Sequence, residues 1–124
     1  MPNKKNRWWL VGIPVVLLIA VAVLFFQFRP GIHVTVQNTG STPLKSVVFH
    51  VTGASYQIGD IAAGASATAR VQSTGESGLQ IEFTDSDGNV QRLDAGGYFE
   101  SGYRGTIQVS IKDGTIVKNE QDMW

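Results

Sequence analysis

Cysteine is absent from this 124-residue chain. That excludes disulfides, thiolate metal sites, a cysteine nucleophile and the lipid-modified cysteine of a lipoprotein. Histidine is scarce, with only His33 and His50, so an imidazole metal site has two ligands at most where tight sites need three or more. No G-x-S-x-G elbow occurs, and neither histidine has a sequence-defined serine and aspartate partner, which disfavours a hydrolase. Nor is there a basic stripe with interleaved aromatics of the kind nucleic-acid binding uses. From Gly31 onward, no stretch of ten residues carries helical periodicity.

The main positive feature is the uncharged apolar run Leu10–Phe26, LVGIPVVLLIAVAVLFF. At 1.5 Å of rise per residue it spans roughly 26 Å, and the stretch from Trp8 to Phe28 roughly 31 Å, close to the hydrocarbon thickness of a bilayer. No other segment is long and apolar enough to insert. The sequence therefore predicts residues 1–7 as a short cytoplasmic N-terminus, 8–28 as a transmembrane signal-anchor helix and 29–31 as a short linker. A cleaved signal peptide is the competing reading, because Ala20-Val21-Ala22 has the small-x-small form of a cleavage site. The apolar run continues through Val23, Leu24, Phe25 and Phe26, where a peptidase needs extended polar chain, and this favours a retained anchor. Pro14 falls in the first turns, where membrane helices tolerate it.

Charge sets the expected orientation. Lys4, Lys5 and Arg7 precede the run, and Arg29 follows it. The first thirty residues thus hold four cations and no acid, while the rest hold six cations against ten acids, a net −4. The positive-inside bias puts the N-terminus in the cytoplasm and the remainder outside a bacterial cytoplasmic membrane. Trp8 and Trp9 fit the inner interface, where an indole buries its ring and keeps its N–H hydrated. With Lys4, Lys5 and Arg7 they form the expected membrane-interface anchors, and the lipid bilayer is the first expected partner.

Gly31 to Trp124 is enough chain for one small domain. Ile32, Val34 and Val36 alternate with polar residues, as do Ala67, Ala69 and Val71, then Leu79, Ile81 and Phe83, then Ile107, Val109 and Ile111, while Val47, Phe49 and Val51 alternate with Val48, His50 and Thr52. Weaker strands are expected at Ser55–Ile58, Val90–Leu93, Tyr98–Tyr103 and Ile116–Val117. Asn38-Thr39-Gly40-Ser41, Ala63-Gly64 and Asp85-Ser86-Asp87-Gly88-Asn89 carry turn chemistry. About seven to eight short strands predict an antiparallel β-sandwich over residues 32–117, with 118–124 left as a C-terminal tail.

Val36-Gln37-Asn38-Thr39-Gly40-Ser41-Thr42-Pro43-Leu44-Lys45-Ser46-Val47, followed by Ile58-Gly59-Asp60-Ile61-Ala62-Ala63-Gly64-Ala65-Ser66-Ala67, resembles bacterial immunoglobulin-like domains of the CARDB and FxLYD kind. Those families place an N-x-G turn between their first strands and an apolar-x-x-G-x-S turn before a later one. Asp94-Ala95-Gly96-Gly97-Tyr98 is similar to the tyrosine-corner segment of immunoglobulin folds, with Glu100 where an antibody domain has cysteine. The resemblance implies an immunoglobulin-like fold and an extracytoplasmic adhesion, spacing or assembly role.

Gly96–Gly105 packs Tyr98, Phe99, Tyr103 and Arg104 among four glycines. Aromatic and Arg side chains dominate interface hot spots, so these four are the candidate partner-binding residues for a membrane or envelope protein. The structural alternative buries Tyr98 as the corner and uses the glycines for turns or bulges. His33 and His50, with Met123, could approach one another if their strands pair, giving a copper or zinc accessory as the alternative function. Asp85, Asp87 and Asn89 have the spacing of a calcium loop's first positions, but Val90 and Gly96 stand where an EF-hand needs glycine and glutamate. Glu82 and Glu100 are the remaining acids to weigh as a carboxylate pair. No catalytic residue and no cofactor is predicted, and the expected role is non-catalytic.

Overall fold

The computed structural model describes residues 31–124, all in one domain; the expected anchor helix, with Lys4, Lys5, Arg7, Trp8 and Trp9, lies outside the described residues. Eight strands follow in order: β1 (Gly31–Asn38), β2 (Leu44–Val51), β3 (Ala54–Ile61), β4 (Ser66–Val71), β5 (Ser77–Thr84), β6 (Val90–Phe99), β7 (Arg104–Lys112) and β8 (Thr115–Met123). They form two four-stranded sheets, ordered β4-β1-β7-β8 and β3-β2-β5-β6. Among the described residues no helix is long and apolar enough to cross a membrane.

Period-two alternation makes the core. From the first sheet Ile32, Val34, Val36, Val71, Ile107, Val109 and Ile111 point inward. The second contributes Leu44, Val47, Phe49, Val51, Ile61, Leu79, Ile81, Phe83, Ala95 and Phe99. Burying a side chain of the Val, Leu, Ile or Phe class is worth about 1.5–3 kcal/mol, so these facing rows supply the drive that holds the sheets together.

Three features depart from the sequence reading. The sandwich is not wholly antiparallel, because β1 runs parallel to β7 from Gly31↔Arg104 to Asn38↔Ile111, with the whole second sheet traversed between them. The expected tail from residue 118 is instead the body of β8, paired from Lys112↔Thr115 to Gly105↔Met123. Its polar composition conceals it as a strand; charged side chains on an edge strand also oppose pairing with foreign strands. Finally, the segments expected as two strands near 90–93 and 98–103 are one strand, β6. Its pairing with β5 shifts register around Ala95–Gly97, where Gly96 and Gly97 adopt φ of 66° and 81°. Bulges insert unpaired residues into a strand, and glycine accepts the left-handed backbone they need.

The open sides of the sandwich are latched by side chains. On one side, Asn119 Nδ2 and Gln121 Nε2 of β8 donate to the Ala95 carbonyl of β6 at 2.5 and 3.0 Å. On the other, the Tyr56 hydroxyl of β3 accepts from the Gln72 N–H at 2.9 Å and donates to its carbonyl at 3.3 Å. Asn38, 1% exposed, ties off one pole: its Nδ2 donates to the Thr42 and Ile61 carbonyls at 2.8 and 3.1 Å, and its Oδ1 accepts from the Gly40 N–H at 3.1 Å. At the opposite pole, Gly31, Arg104 and Trp124 lie side by side: Gly31 pairs with Arg104, and Arg104 and Trp124 exchange two backbone hydrogen bonds of 2.9 Å.

Candidate functional site

The four residues expected to bind a partner do not form one surface. Phe99 is 0% exposed and belongs to the core, because the bulged end of β6 turns its ring between the sheets. Tyr103 is half-buried and packs against the same core, and Arg104 is half-buried with its backbone committed to Trp124. Tyr98 alone is open, at 56% exposure.

Tyr98 does not serve as a tyrosine corner. Its hydroxyl donates to Glu100 Oε1 at 2.6 Å and lies 3.3 Å from Glu76 Oε1, so it engages carboxylates rather than upstream backbone. The hydrogen bond to Glu100, then partial desolvation and the negative charge of both glutamates, hold the phenol well above the usual tyrosine range. The result is an exposed ring fixed at its polar end between two anions. It is Tyr56 whose phenol bridges to backbone, at Gln72.

The outer face of the second sheet carries the array with the most chemical potential. His50 Nδ1 is 2.8 Å from Ser55 Oγ, and His50 Nε2 is 3.3 Å from Glu82 Oε1. Register creates this: His50 sits opposite Ser55 on β3, and Glu82 lies opposite Val48, one diagonal step away on β5. A hydroxyl, an imidazole and a carboxylate in sequence have the composition of a hydrolytic triad. The adjoining groove, about 410 Å³, is lined by His50, Thr52, Gln80, Arg92 and Asp94 among others but reaches neither Ser55 nor Glu82. A molecule lodged there would not face the hydroxyl. A polar cross-strand network on a solvated sheet accounts for the same contacts.

The expected two-histidine site does not assemble. His33 is exposed on β1 and His50 is on β2, so they belong to opposite sheets, and Met123 packs against the core. Among the described residues no three His, Asp or Glu side chains converge on a metal position. In the 85–89 loop, Asp85 Oδ1 accepts from the Asp87 and Asn89 N–H groups at 3.0 and 2.9 Å, and Oδ2 from Gln91 Nε2 at 3.1 Å. The Gln91 hydrogen bond, with those from Asn89 and Asp87, holds the pKa of Asp85 below the carboxylate norm. Its oxygens are spent on the turn. Glu82 and Glu100 are likewise engaged separately, by His50 and by Tyr98.

Sequence reasoning missed the Ser55–His50–Glu82 array, the Asn38 hub and the Asn119–Gln121 latch. The bonds that complete them, from His50 to Glu82, from Asn38 to Ile61 and from Asn119 and Gln121 to Ala95, join residues distant in the chain. Local cues existed for parts of two: the Asn38-x-Gly40 turn, and Asn119 and Gln121 on one face of any strand through 118–122.

No protein-family model matches this chain, and no curated protein matches it. Among solved structures, the NMR structure of a protein from Eubacterium rectale is similar, with a TM-score of 0.54 and 10% sequence identity over 71% of this chain and 85% of that one. At that identity the likeness is one of fold alone.

Proposed function

We propose that this protein is a non-catalytic interaction or assembly module, held at the outer face of a bacterial cytoplasmic membrane by the Leu10–Phe26 segment, with its N-terminus in the cytoplasm. The observation that carries the interaction reading is Tyr98, a large aromatic side chain exposed at 56% and pinned by Glu100 and Glu76. A ring immobilised before contact loses little entropy on binding, and aromatic residues are favoured interface anchors. The flanking carboxylates suit a partner protein that brings a basic residue beside an apolar contact. The two-layer architecture supports a fold-level parallel with immunoglobulin-like domains. The strand order is not that of the constant-type domain, since β1 and β2 lie in opposite sheets rather than one.

Two experiments in the producing cell test this. A photo-crosslinking amino acid in place of Tyr98 should give a discrete protein adduct that weakens in E76Q/E100Q, whereas the same probe at Ser86, in the hairpin at the far pole, should give none. Absence of an adduct at position 98, or equal adducts at both positions, refutes the interaction surface. Because the chain has no cysteine, S86C can be labelled selectively; a membrane-impermeant maleimide should reach it in intact cells, and labelling only after lysis refutes the outward orientation.

A further inference from the structure

The pole where β1 begins has a composition that the proposed interaction surface does not use. Trp124 is 70% exposed, the most exposed large apolar side chain among the described residues. Arg104 lies beside it in the ladder, and Gly31 lies beside Arg104. With strands about 4.8 Å apart, two steps put the Trp124 backbone about 10 Å from the point where the chain enters the domain. On the far side of Gly31 runs Arg70, whose aliphatic stem packs so closely that a Cβ on Gly31 would lie 2.8 Å from its Cγ. The edge of the first sheet thus reads arginine, chain entrance, arginine, tryptophan. The acidic Tyr98 cluster lies at the same pole but on the other sheet, where β6 ends at Phe99 and a turn closed by the Tyr103 N–H to the Glu100 carbonyl leads into Arg104.

Chain length converts that composition into a location. Only Arg29 and Pro30 separate Phe28 from Gly31. Three residue steps reach at most about 10 Å even when fully extended. The headgroup layer on each side of the hydrocarbon core is about 5–8 Å thick. If Phe28 sits at the hydrocarbon edge, β1 starts within or just above the headgroups, and the edge carrying Trp124 and Arg104 is held against them.

We infer that this edge of the first sheet docks on the membrane surface, with the Trp124 indole in the headgroup layer and Arg104 against lipid phosphate. The inference rests on the membrane-anchor reading given above. Trp favours such interfaces because its ring is apolar and its N–H needs a polar partner, and a guanidinium matches phosphate geometry with two parallel hydrogen bonds. A domain attached at two places, through its tether and through this edge, stands at a fixed tilt instead of pivoting on Pro30. The Tyr98 cluster, on the other sheet at this same pole, is then held close above the membrane surface, within reach of a neighbouring membrane protein.

The test uses the full chain in vesicles of phosphatidylcholine and phosphatidylglycerol, some of the phosphatidylcholine being brominated on acyl-chain carbons near the headgroup. In W8F/W9F, Trp124 is the sole tryptophan; its emission should shift to the blue and be largely lost to bromine quenching, and R104E should restore most of it. An environment-sensitive fluorophore on D122C, two residues away on β8, should report the same burial with all three tryptophans retained. Emission like that of indole in water, unquenched while the protein floats with the vesicles, overturns the docking and leaves the anchor standing. Failure of the unmodified chain to float with vesicles refutes the anchor reading, and the docking with it.

Discussion

Replacing Asn38 tests whether a single buried amide holds one pole of the sandwich closed. Its side chain makes three hydrogen bonds, to the Thr42 and Ile61 carbonyls and from the Gly40 N–H, at 1% exposure. At about 1 kcal/mol net for each bond, Asn38→Ala should lose roughly 3 kcal/mol, more if the Ile61 carbonyl is left dry. For a domain of this size, with a total stability of order 5–14 kcal/mol, that is a large share, and the expected fall in Tm is about 12–24 °C. Asn38→Asp separates hydrogen bonding from shape. The carboxylate keeps the volume and the acceptor for Gly40 but points negative charge at two carbonyl oxygens. Its pKa in the folded state must therefore rise above the usual value of about 3.9. Raised folded pKa means that the stability of Asn38→Asp is greatest below pH 4 or so and is lost as pH climbs through the folded value. Urea denaturation followed by tryptophan emission, at acid and neutral pH, measures both effects. A loss below about 1 kcal/mol for Asn38→Ala, or an Asn38→Asp protein as stable at neutral pH as at pH 4, would refute the reasoning.

Other substitutions probe the rest of the frame. Asn119→Ala with Gln121→Ala removes both donors to the Ala95 carbonyl, so urea melts should show a loss of about 1–3 kcal/mol and amide exchange should accelerate first in β6 and β8. Gly105 adopts φ of 130°, and a Cβ there would run into the Asp122 carbonyl. Gly105→Ala should consequently cost about 2 kcal/mol or more in the same assay, whereas Gly88→Ala, with open space around its Cβ position, should suffer only the backbone penalty of about 1 kcal/mol. In an ultraviolet alkaline titration, Tyr98 should ionise above its ordinary value of 10.0. Because the folded value is the raised one, the linked stability is complete below pH 10 and declines as pH rises further. Glu100→Ala, which removes the hydrogen bond that is the first cause of the shift, should bring the phenol back towards ordinary behaviour; an unchanged titration refutes the assignment. Phe49→Ala empties a site that is 0% exposed and should cost about 3–5 kcal/mol by calorimetry.

Much of this protein was legible from residue order because the controlling forces are local. Alternation in Ile32–Val36, Val47–Val51, Leu79–Phe83 and Ile107–Ile111 dictates strands with one apolar face, and two sheets burying those faces are the economical outcome. Asp85–Asn89 announces a hairpin because its side chains bond their own backbone, as Asp85 does. Period and turn chemistry do not state which strands become neighbours. The parallel β1–β7 pair, the recruitment of polar residues 118–122 into β8, and the union of two expected strands into β6 all depend on partners far away in the chain. The same limit governed the candidate site. An aromatic and glycine-rich segment marks 96–105 as unusual, yet the side of the sheet each ring takes is set by the bulges at Ala95–Gly97. They send Phe99 inward and leave Tyr98 outside with Glu76, twenty-two residues upstream. Side-chain period is written in the sequence, whereas register is fixed only when two sheets close on a shared core.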